Sequence, residues 1–162
     1  MYRISLSLLL IALVATARGV AAETKSELNL WVVEASTENR ETPHFDPGLD
    51  VIAAAVKGVP HNTYHKVAAG SHQLAANAPT RIPVADSHTL EAGSPKPTSD
   101  GRYRMRLRIL MKTEDEPPKE LEAISTELIL NPEKKVLVRG LKRSGGKELL
   151  LILSLKVPKD QT

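Results

Sequence analysis

The chain contains no cysteine. Disulfides, thiolate metal sites, thiol catalysis and redox exchange are therefore excluded, and the fold must hold together by packing alone. The same lack excludes a bacterial lipid anchor after the apolar N-terminal run. Aromatic residues make up only 3% of the sequence, and beyond residue 22 they are Trp31, Phe45, Tyr64 and Tyr103. Stacking platforms for sugars or single-stranded nucleic acid need several aromatic faces on one surface, so neither ligand is expected. No Gly-x-Ser-x-Gly elbow, phosphate loop, dinucleotide fingerprint or His-Glu-x-x-His motif occurs, so no cofactor is expected and an enzyme has no positive support. An apolar run of the ~20 residues that a membrane helix needs is also missing.

The first 22 residues carry the clearest address. Met1-Tyr2-Arg3 is a short positive start, Ile4 to Ala15 is apolar or small, and Val20-Ala21-Ala22 suits cleavage before Glu23. That order reads as a secretory signal peptide over 1–22, ahead of a single β-rich domain over 23–162. Export to a bacterial periplasm or to the outside of the cell is the expectation. Arg3 and Arg18 leave with the signal while all 19 acidic residues stay, so 20 bases then face 19 acids. Global basicity is thus no argument for nucleic acid.

Glu27 to Ala35 alternates, with apolar residues on both faces, and predicts a buried strand. A helix is predicted over 46–58. Asp46 suits the N-cap and Pro47 the first turn; Leu49, Ile52, Ala53 and Val56 line one face, and Gly58 supplies a left-handed stop. Strands follow at 63–68, 81–85 and 89–91, with a loop over 92–101. Arg102 to Thr113 alternates perfectly, and Glu120 to Leu130 returns beside it. If residues 108 and 124 face each other, Lys112 meets Glu120. Residues 135–140 and 147–157 make a last hairpin, whose Leu149 to Leu153 run predicts a central strand. The expected fold class is α+β, one helix packed on a mainly antiparallel sheet, in strand, helix, then strands order.

The sharpest surface feature is the stripe Arg102, Arg104, Arg106 and Arg108. Alternate residues on a strand lie ~6.6 Å apart, so the four guanidinium forks span roughly 20 Å. They suit repeating phosphates or carboxylates, as in lipopolysaccharide, teichoic acid or an acidic protein surface. Glu120, Glu122 and Thr126 on the neighbouring strand are placed to neutralise them. The five histidines, His44, His61, His65, His72 and His88, suggest a metal-dependent hydrolase as an alternative. His61 and His65 would share an ion only on a helix, since on a strand they sit ~13 Å apart. Ser71 with His72, and Ser87 with His88, would point to opposite faces of a strand and make no dyad.

Leu28 to Ala35 resembles the strand that opens the core of bacterial outer-membrane secretins. Leu137 to Leu141 and Glu148 to Leu153 are similar to the closing hairpin of that core. These segments cover under a quarter of the chain beyond residue 22. The order of elements resembles small secreted bacterial proteins of unassigned function. The resemblance implies an envelope protein and carries over no catalytic residue. The expectation is an exported, non-enzymatic binding or assembly domain. Its partner is an anionic envelope polymer or acidic protein surface at the arginine face, or, alternatively, a protein strand added to an exposed sheet edge.

Overall fold

The computed structural model describes residues 25–158. The signal peptide expected over 1–22 lies outside the described residues. Ten strands form two sheets: β1 (Glu27–Ser36), β2 (His44–Phe45), β3 (Thr63–Gln73), β4 (Thr80–Ala85), β5 (His88–Ala92), β6 (Lys96–Pro97), β7 (Tyr103–Lys112), β8 (Glu120–Leu130), β9 (Lys135–Lys142) and β10 (Glu148–Lys156). The first sheet runs β2-β3-β1-β10-β9. In the second, β4 pairs with β5 and β5 with β7; β6 also pairs with β7, and so does β8. All pairings are antiparallel except the short β2–β3 contact. Strand β3, whose outer side is covered only by the two residues of β2, touches β4, and β8 touches β9, so the chain crosses between sheets along both sides of a sandwich.

The main core lies between the sheets. Leu28, Leu30 and Val32 of β1 and Leu149, Leu151, Leu153 and Leu155 of β10 meet Leu90 of β5 and Met105, Leu107 and Ile109 of β7. Burying each such side chain contributes about 1.5–3 kcal/mol. The opposite faces of β1 and β10 bury Val33, Ala35, Leu150 and Ile152 beneath residues 49–59. The continuous leucine run of β10 therefore marks a strand with a core on each side, as its sequence predicts.

The α+β expectation is overturned: the fold is nearly all β, and among the described residues no helix packs on the sheet. Residues 46–58 form a chain of tight turns around one 3₁₀ turn, Asp50–Ile52. Gly48 has φ +82°, which stops an α-helix at its first turn. Leu49 N–H donates to Asp46 O, Ile52 to Leu49 O and Ala55 to Ile52 O, all three residues back. The Asp46 carboxylate does not cap a helix; it accepts the Lys66 N–H at 2.8 Å and so ties the turns to β3. Leu49, Ile52 and Val56 are nonetheless buried and Gly58 has φ +88°, so apolar face and stop are as read from the spacing. The spacing of three and four residues suits successive turns as well as a helix, and β-branched Val51, Ile52 and Val56 do nothing to favour the latter.

Four strands carry an extra residue, the first being Val84 of β4, left over between Pro83↔Thr89 and Ala85↔His88. Between Ile109↔Ile124 and Leu110↔Glu122, Ala123 of β8 is left over. Lys112 does stand opposite Glu120, but Arg108 stands opposite Ser125. Val67 of β3 is extra against β1, and Arg139-Gly140 of β9 bulges against β10. Gly140 has φ +115°, a conformation that other residues reach only with strain.

Candidate anion-binding cleft

Strand β7 directs Tyr103, Met105, Leu107 and Ile109 into the core and its arginines outward. The outward face is not the uniform ruler expected. Arg102 precedes the strand and closes its own turn, with Nε donating to Asp100 at 2.7 Å. That guanidinium first, then the Thr98 hydroxyl, holds the Asp100 carboxyl well below the usual range. Arg108 donates to Glu122 at 2.6 Å and to Glu91 at 2.9 Å. Arg81 of β4 donates through one nitrogen to both oxygens of Glu120, at 2.6 and 2.7 Å, and lies 4.0 Å from Glu91. Acids and arginines thus alternate across the sheet. Such exposed pairs contribute little to stability, being screened by solvent, but they occupy the forks.

Arg106 is different. Its register partner is Glu127, whose carboxylate lies 3.3 Å from Arg104 Nε. Among the described residues no acid pairs with Arg106 or with Lys96. Arg104, Arg106, Lys96 and Glu127 line one open cleft of about 600 Å³, together with Asn77 and Ser94. Three cations there face one carboxylate.

The cleft arises where an edge strand breaks. With β8 along one edge of β7, β5 and β6 share the other, separated by Gly93-Ser94-Pro95. Gly93 N–H donates to Arg106 O at 2.9 Å, and a Cβ at Gly93 would lie 3.3 Å from that oxygen. Glycine therefore lets the chain press against β7 before Pro95 turns it aside. The loop before β4 forms the facing wall, tied where Ala75 N–H donates to Thr80 Oγ1 at 2.9 Å. Lys96 and Asn77 were hidden from sequence reasoning, because both lie in segments without periodicity.

The histidines are dispersed. His61 Nε2 lies 3.3 Å from Glu148 Oε2, in a partly buried network where Arg139 donates to both carboxylate oxygens at 2.8 and 3.2 Å and Gly140 N–H donates at 3.0 Å. Arg139 is the main reason the Glu148 carboxyl lies below its ordinary range. His65 bonds Asp46 at 3.1 Å, with the His44 ring 6.4 Å from its own. His72 lies beside Gly70, on β3. Among the described residues no three His, Asp or Glu side chains come together as metal ligands. Ser71 bonds Asn29 and not His72. Ser87 and His88 do meet, at 3.1 Å, because Ser87 lies in the turn before β5 and escapes strand alternation. No carboxylate among the described residues bonds the far side of that imidazole, so the geometry is not that of a triad.

Compared with known proteins, the chain matches no protein-family model and no curated sequence. The segments that resemble secretin strands are β1, β9 and β10, at the centre and one edge of the first sheet, and they contribute nothing to the cleft. No helix among the described residues is long and apolar enough to cross a membrane.

Proposed function

We propose that this is an exported, non-enzymatic binding domain. Its ligand is an anionic envelope polymer or an acidic protein surface, taken at the cleft of Lys96, Arg104 and Arg106. The supporting observation is that, among the described residues, Arg106 has no acidic partner on a face where the other arginines are paired. A guanidinium fork beside a lysine, in a concave setting, suits phosphate or carboxylate groups repeated along a chain. Export rests on the character of residues 1–22. The test is retention of the protein on immobilised lipopolysaccharide or teichoic acid at low and high salt. Retention lost at high salt, and reduced at low salt by Arg106→Glu, supports the reading. Retention indifferent to both contradicts it.

A second reading, assembly through a sheet edge, is favoured by β8. This strand has 11 residues and, among those described, β7 as its one ladder partner. Leu121 and Ile129 on it are 51% and 46% exposed. A partner paired there would survive high salt and be lost on Ile129→Pro, which blocks edge pairing.

A further inference from the structure

The end of β9 and its loop to β10 carry Lys142, Arg143, Ser144 and Lys147 around Gly145 and Gly146. The two glycines have φ +70° and +72°, so the chain doubles back and Arg143 N–H donates to Lys147 O at 2.8 Å. Glu34, near the end of β1, holds both cations with one carboxylate. Arg143 Nη1 donates to one oxygen at 3.0 Å and Lys147 Nζ to the other at 2.7 Å. Ser87 and His88 come from the second sheet, and together these groups line a pocket of about 380 Å³ at one end of the sandwich. Lys142 also lines it and has no acidic partner among the described residues. Three cations face one carboxylate, which leaves two positive charges uncompensated. Burial, and then the Arg143 guanidinium, push the His88 imidazole below its ordinary range, so the ring offers a hydrogen bond rather than a further charge.

We propose that this pocket is a second ligand site, for a phosphate group. Lys142, Arg143 and Lys147 neutralise it, and Ser87, Ser144 and His88 complete its hydrogen bonding. A phosphate monoester carries a charge of about −1.5 to −2 at neutral pH, which matches the two uncompensated cations. Its acceptor oxygens point in several directions, whereas a planar carboxylate is satisfied by one fork. Donors reaching in from both sheets and from the glycine loop fit the former. A bound phosphate would tie the end of one sheet to the other. The pocket is separate from the Arg106 cleft: His88 stands opposite Met111, five residues along β7 from Arg106, or roughly 17 Å.

The test is an amide NMR titration with inorganic phosphate, with glycerol phosphate and with acetate, at constant ionic strength. Both phosphates give saturable shifts at Ser87, His88 and residues 143–147, and acetate binds more weakly. Tighter binding of glycerol phosphate identifies an ester group as the ligand, and tighter inorganic phosphate identifies the free ion. Lys142 is exposed and outside the Glu34 pairs, so Lys142→Ala keeps the fold and weakens binding about tenfold. Phosphate also raises the unfolding temperature of the wild type more than that of the variant. Shifts that fail to saturate, that are equal with acetate, or that spread alike to Lys96 and Arg106 would overturn the proposal.

Discussion

Arg106 stands directly across the β7–β8 ladder from Glu127, yet the Glu127 carboxylate lies against Arg104. One diagonal ion pair thus leaves a guanidinium without an acidic partner among the described residues, in the middle of an otherwise neutralised face. The binding reading depends on that local imbalance and not on the number of arginines.

The network at Glu148 should contribute to the acid sensitivity of the fold. Glu148 is 8% exposed, and Arg139, the Gly140 N–H and His61 all engage its carboxylate. Glu148→Gln leaves Arg139 without its counter-charge and should cost about 1–2 kcal/mol near neutral pH, because that guanidinium is itself 42% exposed to water. The folded-state carboxyl is held below its ordinary value, so its stabilisation is complete above about pH 4.3 and is lost as the pH falls through the lowered value. Urea unfolding followed by Trp31 fluorescence should therefore show wild type and variant converging in acid. A difference that stays constant with pH would contradict this role.

Residues 49–59 should behave as packed turns. Ile52→Ala removes a fully buried side chain and should cost about 2–4 kcal/mol, whereas Val51→Ala, at a position 53% exposed, should change stability by less than about 0.5 kcal/mol. Equal costs at the two positions would mean that this segment does not cover the first sheet as described.

Gly140 should resist substitution for a backbone reason. Its φ of +115° and its N–H bond to Glu148 belong to one bulge, while a Cβ there would meet only Ile124, at 3.6 Å. Gly140→Ala should cost about 2 kcal/mol, from backbone strain more than from crowding. Thermal unfolding of the variant checks this, and an unchanged midpoint would show that the bulge relaxes freely.

Much of the sandwich was legible because its strands alternate or run apolar on both faces. β7, β8 and β10 could be placed from that pattern alone. The false helix came from a spacing shared by helices and successive turns, in a segment where Gly48 decides between them. The outer face of the second sheet was harder to read. Glu120 and Glu122 have the opposite parity to Glu127, so strict alternation would put them on opposite faces of β8; the extra residue Ala123 lets all three meet arginines. The pairing of Arg102 with Asp100 is local and could be read. The isolation of Arg106 could not, because it depends on a diagonal contact and on a loop that brings Lys96 back to β7.

The most direct measurement compares Arg106→Gln with Arg102→Gln for affinity to the same anionic polymer at low salt. Each removes one positive charge from the same stripe. The account predicts about a tenfold loss for Arg106→Gln and a change within about twofold for Arg102→Gln, whose guanidinium is held by Asp100. Equal losses would mean that the polymer senses overall charge and not the cleft, and no loss in either would mean that the arginine face is a solvated surface.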